Sequence, residues 1–206
     1  MSPIPVLVKF GLLPEKHTAF FLCDIQEKFR PVMLHFQEIV QVADKLVKTS
    51  KTLGVPLIVT EQNPQGLGKT VQELNVSHAA GIYSKTKFSM VVPEVVAQLS
   101  ELCTGQLQCV VLFGMETHVC VEQTAAELCA RGFKVHIVAD ACTSRSQEER
   151  LLAFERMRQM GCFITTAETV IFKLLGDKEH PMFPHIRTLI KSPTPFTGLS
   201  LSPNPT

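Results

Sequence analysis

Apolar positions along the chain fall into two alternating patterns. Short, almost unbroken apolar runs rich in β-branched and aromatic residues occur at Thr18 to Asp24 (TAFFLCD), Val55 to Glu61 (VPLIVTE), Cys109 to Gly114 (CVVLFG), Val135 to Asp140 (VHIVAD) and Cys162 to Thr166 (CFITT). Runs of this length without polar alternation suit strands buried on both faces, as in a parallel sheet. Between them the spacing is helical. Phe36, Ile39, Val40, Ala43, Leu46, Val47 and Ser50 share one helical face, and Gly54 supplies the stop. Pro93 opens a second helix at its first-turn position, with Val96, Leu99, Leu102 and Cys103 inward and Gly105 as terminator. Thr117 reads as the cap of a helix running to Arg131 and ended by Gly132. Leu151, Phe154, Met157 and Met160 line another, ended by Gly161. A shorter strand pattern lies around His78 to Tyr83, a short helix ends at Leu175, and a last helix spans about His185 to Lys191.

Strand and helix alternating with short connections predict an α/β chain with a three-layer αβα Rossmann-like fold and a mostly parallel central sheet. The domain is expected over 18–192, after an N-terminal extension 1–17 and before a flexible Pro-rich tail 193–206. In such open sheets ligands bind beyond the carboxyl ends of the strands, so polar residues there carry the functional interest.

Composition narrows the picture by exclusion. The 206 residues are 45% hydrophobic and 19% charged, enough to bury a core without disulfide or metal staples. Twenty basic against 19 acidic residues give a net charge of +1, which is neither a nucleic-acid footprint nor a polybasic membrane anchor. No apolar run reaches the ~18 residues of a membrane span. Seven Cys, an odd number with no CxxC pair, argue against a disulfide framework or zinc site and for a reducing compartment. The first residues resemble neither a secretory signal nor a transit peptide, so the cytoplasm is assigned by default, with nucleus and mitochondrion left open.

Three residue types stand out at the strand ends. Asp24 closes the first strand, and a carboxylate there needs either a turn to cap or a partner charge. Asp140, followed by Ala141, Cys142, Thr143 and Ser144, reads as turn chemistry. Cys120 lies three residues after Thr117, the candidate cap, where the helix dipole favours a thiolate; by position alone a buried inert thiol is the plainer reading, as it is for Cys109 and Cys129 on their apolar faces. Lys85, in SKTKFSM, is either a solvated loop lysine or the cation that meets Asp24 and Cys120 in one crevice.

Taken together, FFLCDIQEKF, KTKFS and GMETHVCVEQTAAELCARGFKVHIVADACTSRS resemble the isochorismatase-like cysteine hydrolase superfamily over about residues 18 to 175. The resemblance implies a catalytic triad of Asp24 as general base, Lys85 as cation and Cys120 as nucleophile. Lys85 is preferred to Lys87 because it lies three residues before Phe88-Ser89. It also implies an oxyanion hole from the backbone N–H groups of Glu116 and Cys120, and a non-proline cis peptide between Met115 and Glu116. Gln26, Phe29, Gln62, Phe88, Met115 and His118 are the candidates for the pocket wall.

Two departures from the family pattern narrow the chemistry. Nicotinamidases of the superfamily carry a metal-binding Asp-x-His after the second strand, where this chain has Gln62 and Pro64, so no metal and no other cofactor is expected. Isochorismate hydrolases often lack the nucleophilic Cys, because a vinyl ether is hydrolysed by protonation, so Cys120 points away from isochorismate. The reading that results is a metal-independent cysteine hydrolase cleaving an amide-type C–N bond of a small molecule through a Cys thioester, in a homo-oligomer. Its rivals are a family member with little or no turnover serving as a protein-interaction module, and a thiol redox protein pairing Cys120 with Cys23 or Cys142. Of the histidines, His136 reads as a satisfied structural residue in a buried strand, and His180 and His185 lack ligand-like partners.

Overall fold

The computed structural model describes residues 6–199, and its elements follow the alternation of the sequence. In chain order they are β1 (Thr18–Cys23), α1 (Phe36–Leu53), β2 (Leu57–Gln62), α2 (Pro64–Leu67), β3 (Gly81–Lys85), α3 (Pro93–Leu99), α4 (Leu102–Gly105) and β4 (Cys109–Met115). A π turn (Thr117–Val121) then leads into α5 (Glu122–Ala130), β5 (Lys134–Thr143), α6 (Gln147–Gln159), β6 (Phe163–Thr165), α7 (Ala167–Leu175) and α8 (Phe183–Ile190). The six strands form one sheet, every neighbouring pair parallel, in the order β3-β2-β1-β4-β5-β6. The order reverses between β1 and β4, and this is where a doubly wound sheet opens its crevice.

Every residue of β1 and β4 is buried, which is why these strands lack polar alternation: helices cover both faces. Helices α1, α7 and α8 pack together, and α5 packs on α6. Ten residues of α1 are buried, from Phe36 to Leu53, and Gly54 ends the helix in the left-handed conformation (φ 69°). Each fully buried Leu, Ile or Val in this set contributes roughly 1.5–3 kcal/mol of transfer free energy. Gly114 has φ 149°, and a Cβ there would lie 2.0 Å from the Cys23 carbonyl oxygen, so only glycine lets β4 approach β1 at the reversal.

Several expectations are corrected. The third strand lies at 81–85 rather than 78–83, which puts Lys85 at its end. The helix opened by Pro93 stops at Leu99, and Cys103 and Thr104 are left-handed, so it does not continue to Gly105. On α6 the buried residues are Arg150, Ala153, Phe154 and Met157, while Leu151 and Met160 face outward. Arg150 is fully buried and donates to the carbonyls of Ala139 and Thr197. Of the expected tail 193–206, residues 200–206 lie outside the described residues; up to 199, Arg150 donates to the Thr197 carbonyl, Gln147 to the Gly198 carbonyl and Lys45 to the Ser192 carbonyl, and His35 packs against Phe196. The N-terminal segment likewise joins the core through Val8 and Leu13. Asp140 lies inside β5 rather than in a turn, and its Oδ1 accepts from the N–H of Ala167, the first residue of α7. Burial pushes its carboxyl up to about 6 despite that bond. Among the described residues no helix is long and apolar enough to cross a membrane.

His136 is buried in β5 as anticipated, but among the described residues neither ring nitrogen has a hydrogen-bond partner, and the ring stacks on Phe163 with centroids 4.7 Å apart. Burial, helped by the Lys173 charge, pulls its pKa down to about 3. Between that value and an unfolded value near ~6.5 the unfolded chain binds the extra proton, so stability is full above the unfolded pKa and is lost as pH falls toward 3. Urea unfolding at pH 7 and pH 4.5 checks this: His136→Phe is expected to lose distinctly less stability than the parent chain over that interval, and equal losses would refute the assignment.

Candidate functional site

The ends of β1, β2, β3 and β4 converge on one buried cluster. Asp24 follows β1 directly and adopts the left-handed conformation (φ 54°), which turns its carboxylate across the sheet end. Its Oδ1 accepts from the Thr60 hydroxyl at 2.8 Å and its Oδ2 from the Lys85 ammonium at 2.6 Å, while the Cys23 thiol donates to Oδ2 at 3.5 Å. The Asp24 and Lys85 side chains are 1% and 0% exposed, so water does not screen this ion pair. Lys85 reaches it from β3, two strands away, past the end of β2. On the way Nζ also donates to Gln62 Oε1 (2.7 Å) and to the carbonyls of Phe88 (2.9 Å) and Lys87 (3.2 Å). Burial by itself lowers the ammonium's pKa, but its acidic neighbours, the Asp24 carboxylate among them, outweigh it, and the net shift is upward.

Cys120 completes the cluster from the other side of the reversal. It is buried in the π turn after β4, close enough to influence both Lys85 and Cys23. The turn begins at Glu116, which is left-handed (φ 54°, ψ 67°) and whose side chain makes no cap bond. All peptide bonds among the described residues are trans, so the expected cis bond after Met115 is absent, and the left-handed Glu116 redirects the chain instead. Thr117 is not the cap either: it is the first residue of the turn, and its hydroxyl is buried with no partner among the described residues. The turn is tied down by the Thr124 hydroxyl, which donates to the Cys120 carbonyl at 2.6 Å and accepts from the Met90 N–H at 2.8 Å.

The pocket-wall candidates divide. Met115 is fully buried at the end of β4, and Phe29 is partly buried against the core. Phe88 is 52% exposed, and its carbonyl rather than its ring serves Lys85. His118 lies beside Cys120 in sequence, with Nδ1 3.0 Å from the Ser144 hydroxyl and 3.5 Å from Glu116 Oε2. Exposed Arg145 holds Glu116 Oε1 at 3.1 Å. The Gln26 amide is consumed by backbone, donating to the carbonyls of Gln62 and Gly68 and accepting from the Gln62 N–H, so it fastens the loops after β1 and β2 rather than facing a ligand. Gln62 is likewise spent between Lys85 and the Thr86 carbonyl. With Pro64 opening α2 and the Gln62 amide taken up by Lys85 and the Thr86 carbonyl, these two positions do not fit the metal-ligand pattern that the sequence comparison with nicotinamidases raised. Sequence reasoning missed the parts played by Thr60 and Gln62. A groove of about 560 Å³ lined by Leu12, Thr166, Glu168, Thr169, Phe172, Lys173 and Gly176 shares no residue with this cluster.

A doubly wound parallel sheet with a buried carboxylate, ammonium and thiol at its reversal defines an α/β protein with a candidate catalytic site at the sheet crevice. The chain belongs to the isochorismatase-like hydrolase family: the family model described as the isochorismatase domain matches residues 18–169. Isochorismatase domain-containing protein 1 of Salmo salar is 50% identical over 194 residues, covering 94% of this chain and 68% of that one. Isochorismatase domain-containing protein 2 of Xenopus laevis is 47% identical over 193 residues, covering 94% and 93%. The solved structure of MAR1 ribonuclease from Caenorhabditis elegans superposes with a TM-score of 0.87 at 41% identity, covering 92% of this chain and 97% of that one.

Lys85 and Lys87 are two residues apart and opposite in character. Lys87 is exposed and pairs with Glu127 at the surface. Removing one partner of a buried pair strands the other charge, at about 3–5 kcal/mol, whereas a surface pair contributes about 0–1 kcal/mol. Urea unfolding of Lys85→Met is therefore expected to show a loss several times that of Lys87→Met. Equal losses would mean that Asp24 is satisfied without Lys85.

Proposed function

We propose that the protein is a metal-independent cysteine hydrolase that cleaves an amide-type C–N bond of a small molecule through a thioester on Cys120. The observation that carries this reading is the buried Lys85–Asp24 ion pair, with Cys120 brought to it from across the sheet reversal. Lys85 fixes Asp24 Oδ2 and Thr60 fixes Oδ1, so the carboxylate is held in one orientation as the base. Asp24 takes the thiol proton of Cys120, and the sulfur attacks the substrate carbonyl carbon. The developing oxyanion accepts from the N–H groups of Glu116 and Cys120, donors of a kind commonly worth ~2.7–4 kcal/mol each. The C–N bond breaks as Asp24 returns its proton to the leaving nitrogen. Water then gives a proton to Asp24 and attacks the thioester, and the carboxylic acid departs as that proton returns to the sulfur. A group whose task is to move protons between sulfur, nitrogen and water contributes ~10²–10⁴-fold.

The MAR1 ribonuclease resemblance at 41% identity favours a second reading, in which the substrate is RNA. One experiment separates the two. A panel of small amides is screened for ammonia or amine release beside a labelled RNA oligonucleotide, with Cys120→Ala and Asp24→Asn as controls. The amide reading expects release that falls at least ~100-fold in both variants, together with a mass increase on Cys120 equal to the acyl group. RNA cleavage lost in the same variants, with every amide untouched, would replace it. Asparagine is chosen because it keeps the side-chain volume and an acceptor oxygen toward Lys85 and Thr60, which alanine would remove, confusing lost chemistry with lost packing.

A further inference from the structure

The structure assigns a second thiol site, independent of the reaction proposed for Cys120: we propose that Cys129 and Cys162 form a redox-active dithiol that a hydroperoxide converts to a disulfide. The two sulfurs lie 3.6 Å apart, in contact, although 33 positions separate them in the sequence. Cys129 is near the end of α5 and only partly buried, while Cys162 is buried just before β6. One thiol therefore meets solvent and the other waits behind it. The same geometry apportions the charge. The hydrogen bond shared by the two sulfurs favours ionisation of one of them at the expense of the other, and the Lys134 ammonium, which acts on Cys129, favours that thiol as the ionised one against the opposing effect of burial. Partly exposed, low-pKa thiols beside a resolving partner are the ones that oxidise reversibly.

The step balances with one hydroperoxide. The Cys129 thiolate attacks a peroxide oxygen, the O–O bond breaks, and water or an alcohol leaves with a proton, giving a sulfenic acid. The Cys162 sulfur then attacks the Cys129 sulfur; the S–S bond forms, the S–O bond breaks, and hydroxide leaves as water with the Cys162 proton. The two thiols lose two electrons in all and the peroxide gains them. The product would fasten the end of α5, the helix that continues from the Cys120 turn, to the edge strand β6.

The test uses the whole reduced protein treated with hydrogen peroxide, blocked with N-ethylmaleimide and mapped as non-reduced peptides by mass spectrometry. The expected result is a Cys129–Cys162 linked peptide that forms equally in the Cys120→Ala variant and vanishes on reduction. Cys162→Ser should stop at the sulfenic acid and raise dimedone capture on Cys129 at least tenfold. Linked peptides joining Cys120 to Cys23 or Cys142 instead, or both Cys129 and Cys162 recovered as N-ethylmaleimide adducts after Cys120 has been oxidised, would overturn the proposal.

Discussion

The buried pair of Asp24 and Lys85 is the constraint on which the rest of the site depends. Taking both charges out of water carries a penalty of several kcal/mol each, recovered only where geometry is good and the remaining lone pairs and protons are satisfied. The chain meets that condition from two segments: β2 gives the Thr60 hydroxyl for the second carboxylate oxygen and Gln62 Oε1 for the ammonium, and the loop after β3 gives the ammonium the Phe88 and Lys87 carbonyls. Each of these partners is thereby fixed in turn. Gln62 can face Lys85 because Gln26 grips its backbone, and Glu61 beside it is held by Lys69 and Thr70. Burial pushes the Glu61 carboxyl up, but the Thr70 N–H and the Lys69 ammonium outweigh it and leave it lowered.

Backbone conformation does the corresponding work at the two strands that flank the reversal. Asp24 after β1 and Glu116 after β4 both occupy the left-handed region, at φ 54°, where non-glycine residues are uncommon and hold their place only if the surroundings require it. Gly114 lets the two strands close up just before these turns, paired with Cys23 in register. The consequence is that a carboxylate from one strand and a thiol from the next point into the same volume, although 96 positions of chain separate them.

Much of this was legible in the sequence, for reasons that differ by residue. The strands were readable because burial on both faces removes polar alternation, and Asp24 because a carboxylate at the end of such a run demands a partner. Lys85 was separated from Lys87 by the offset to Phe88-Ser89, and the ion pair forms at Lys85. Gln62 was read as pocket wall rather than as a partner of Lys85, and Thr60 was passed over, though a hydroxyl within an apolar run is itself a signal, since it needs a buried acceptor. The α6 face could not be read from apolar spacing because Arg150, a residue type almost never fully buried, occupies it, and two backbone carbonyls make that possible. His136 shows the converse: its strand implied burial, but nothing in the spacing could reveal that neither ring nitrogen has a partner among the described residues. The turn into α5 eluded the reading as well, because a threonine before an apolar run suggests a cap, while the strain is taken up one residue earlier at Glu116.

The seven cysteines finally sort by environment rather than by number. Burial pushes Cys109 and Cys142 up to about 12 and so keeps them protonated. Cys23 is raised too, by burial first and then by its contact with Cys120 and the charge of Asp24, with Lys85 opposing. A thiol held neutral at that position donates to Asp24 Oδ2, the oxygen that also accepts from Lys85. If Cys23 ionised, it would set a second negative charge against the same carboxylate and remove one of its donors. The protonated Cys23 thus adds a donor, and no charge, beside the Asp24–Lys85 pair.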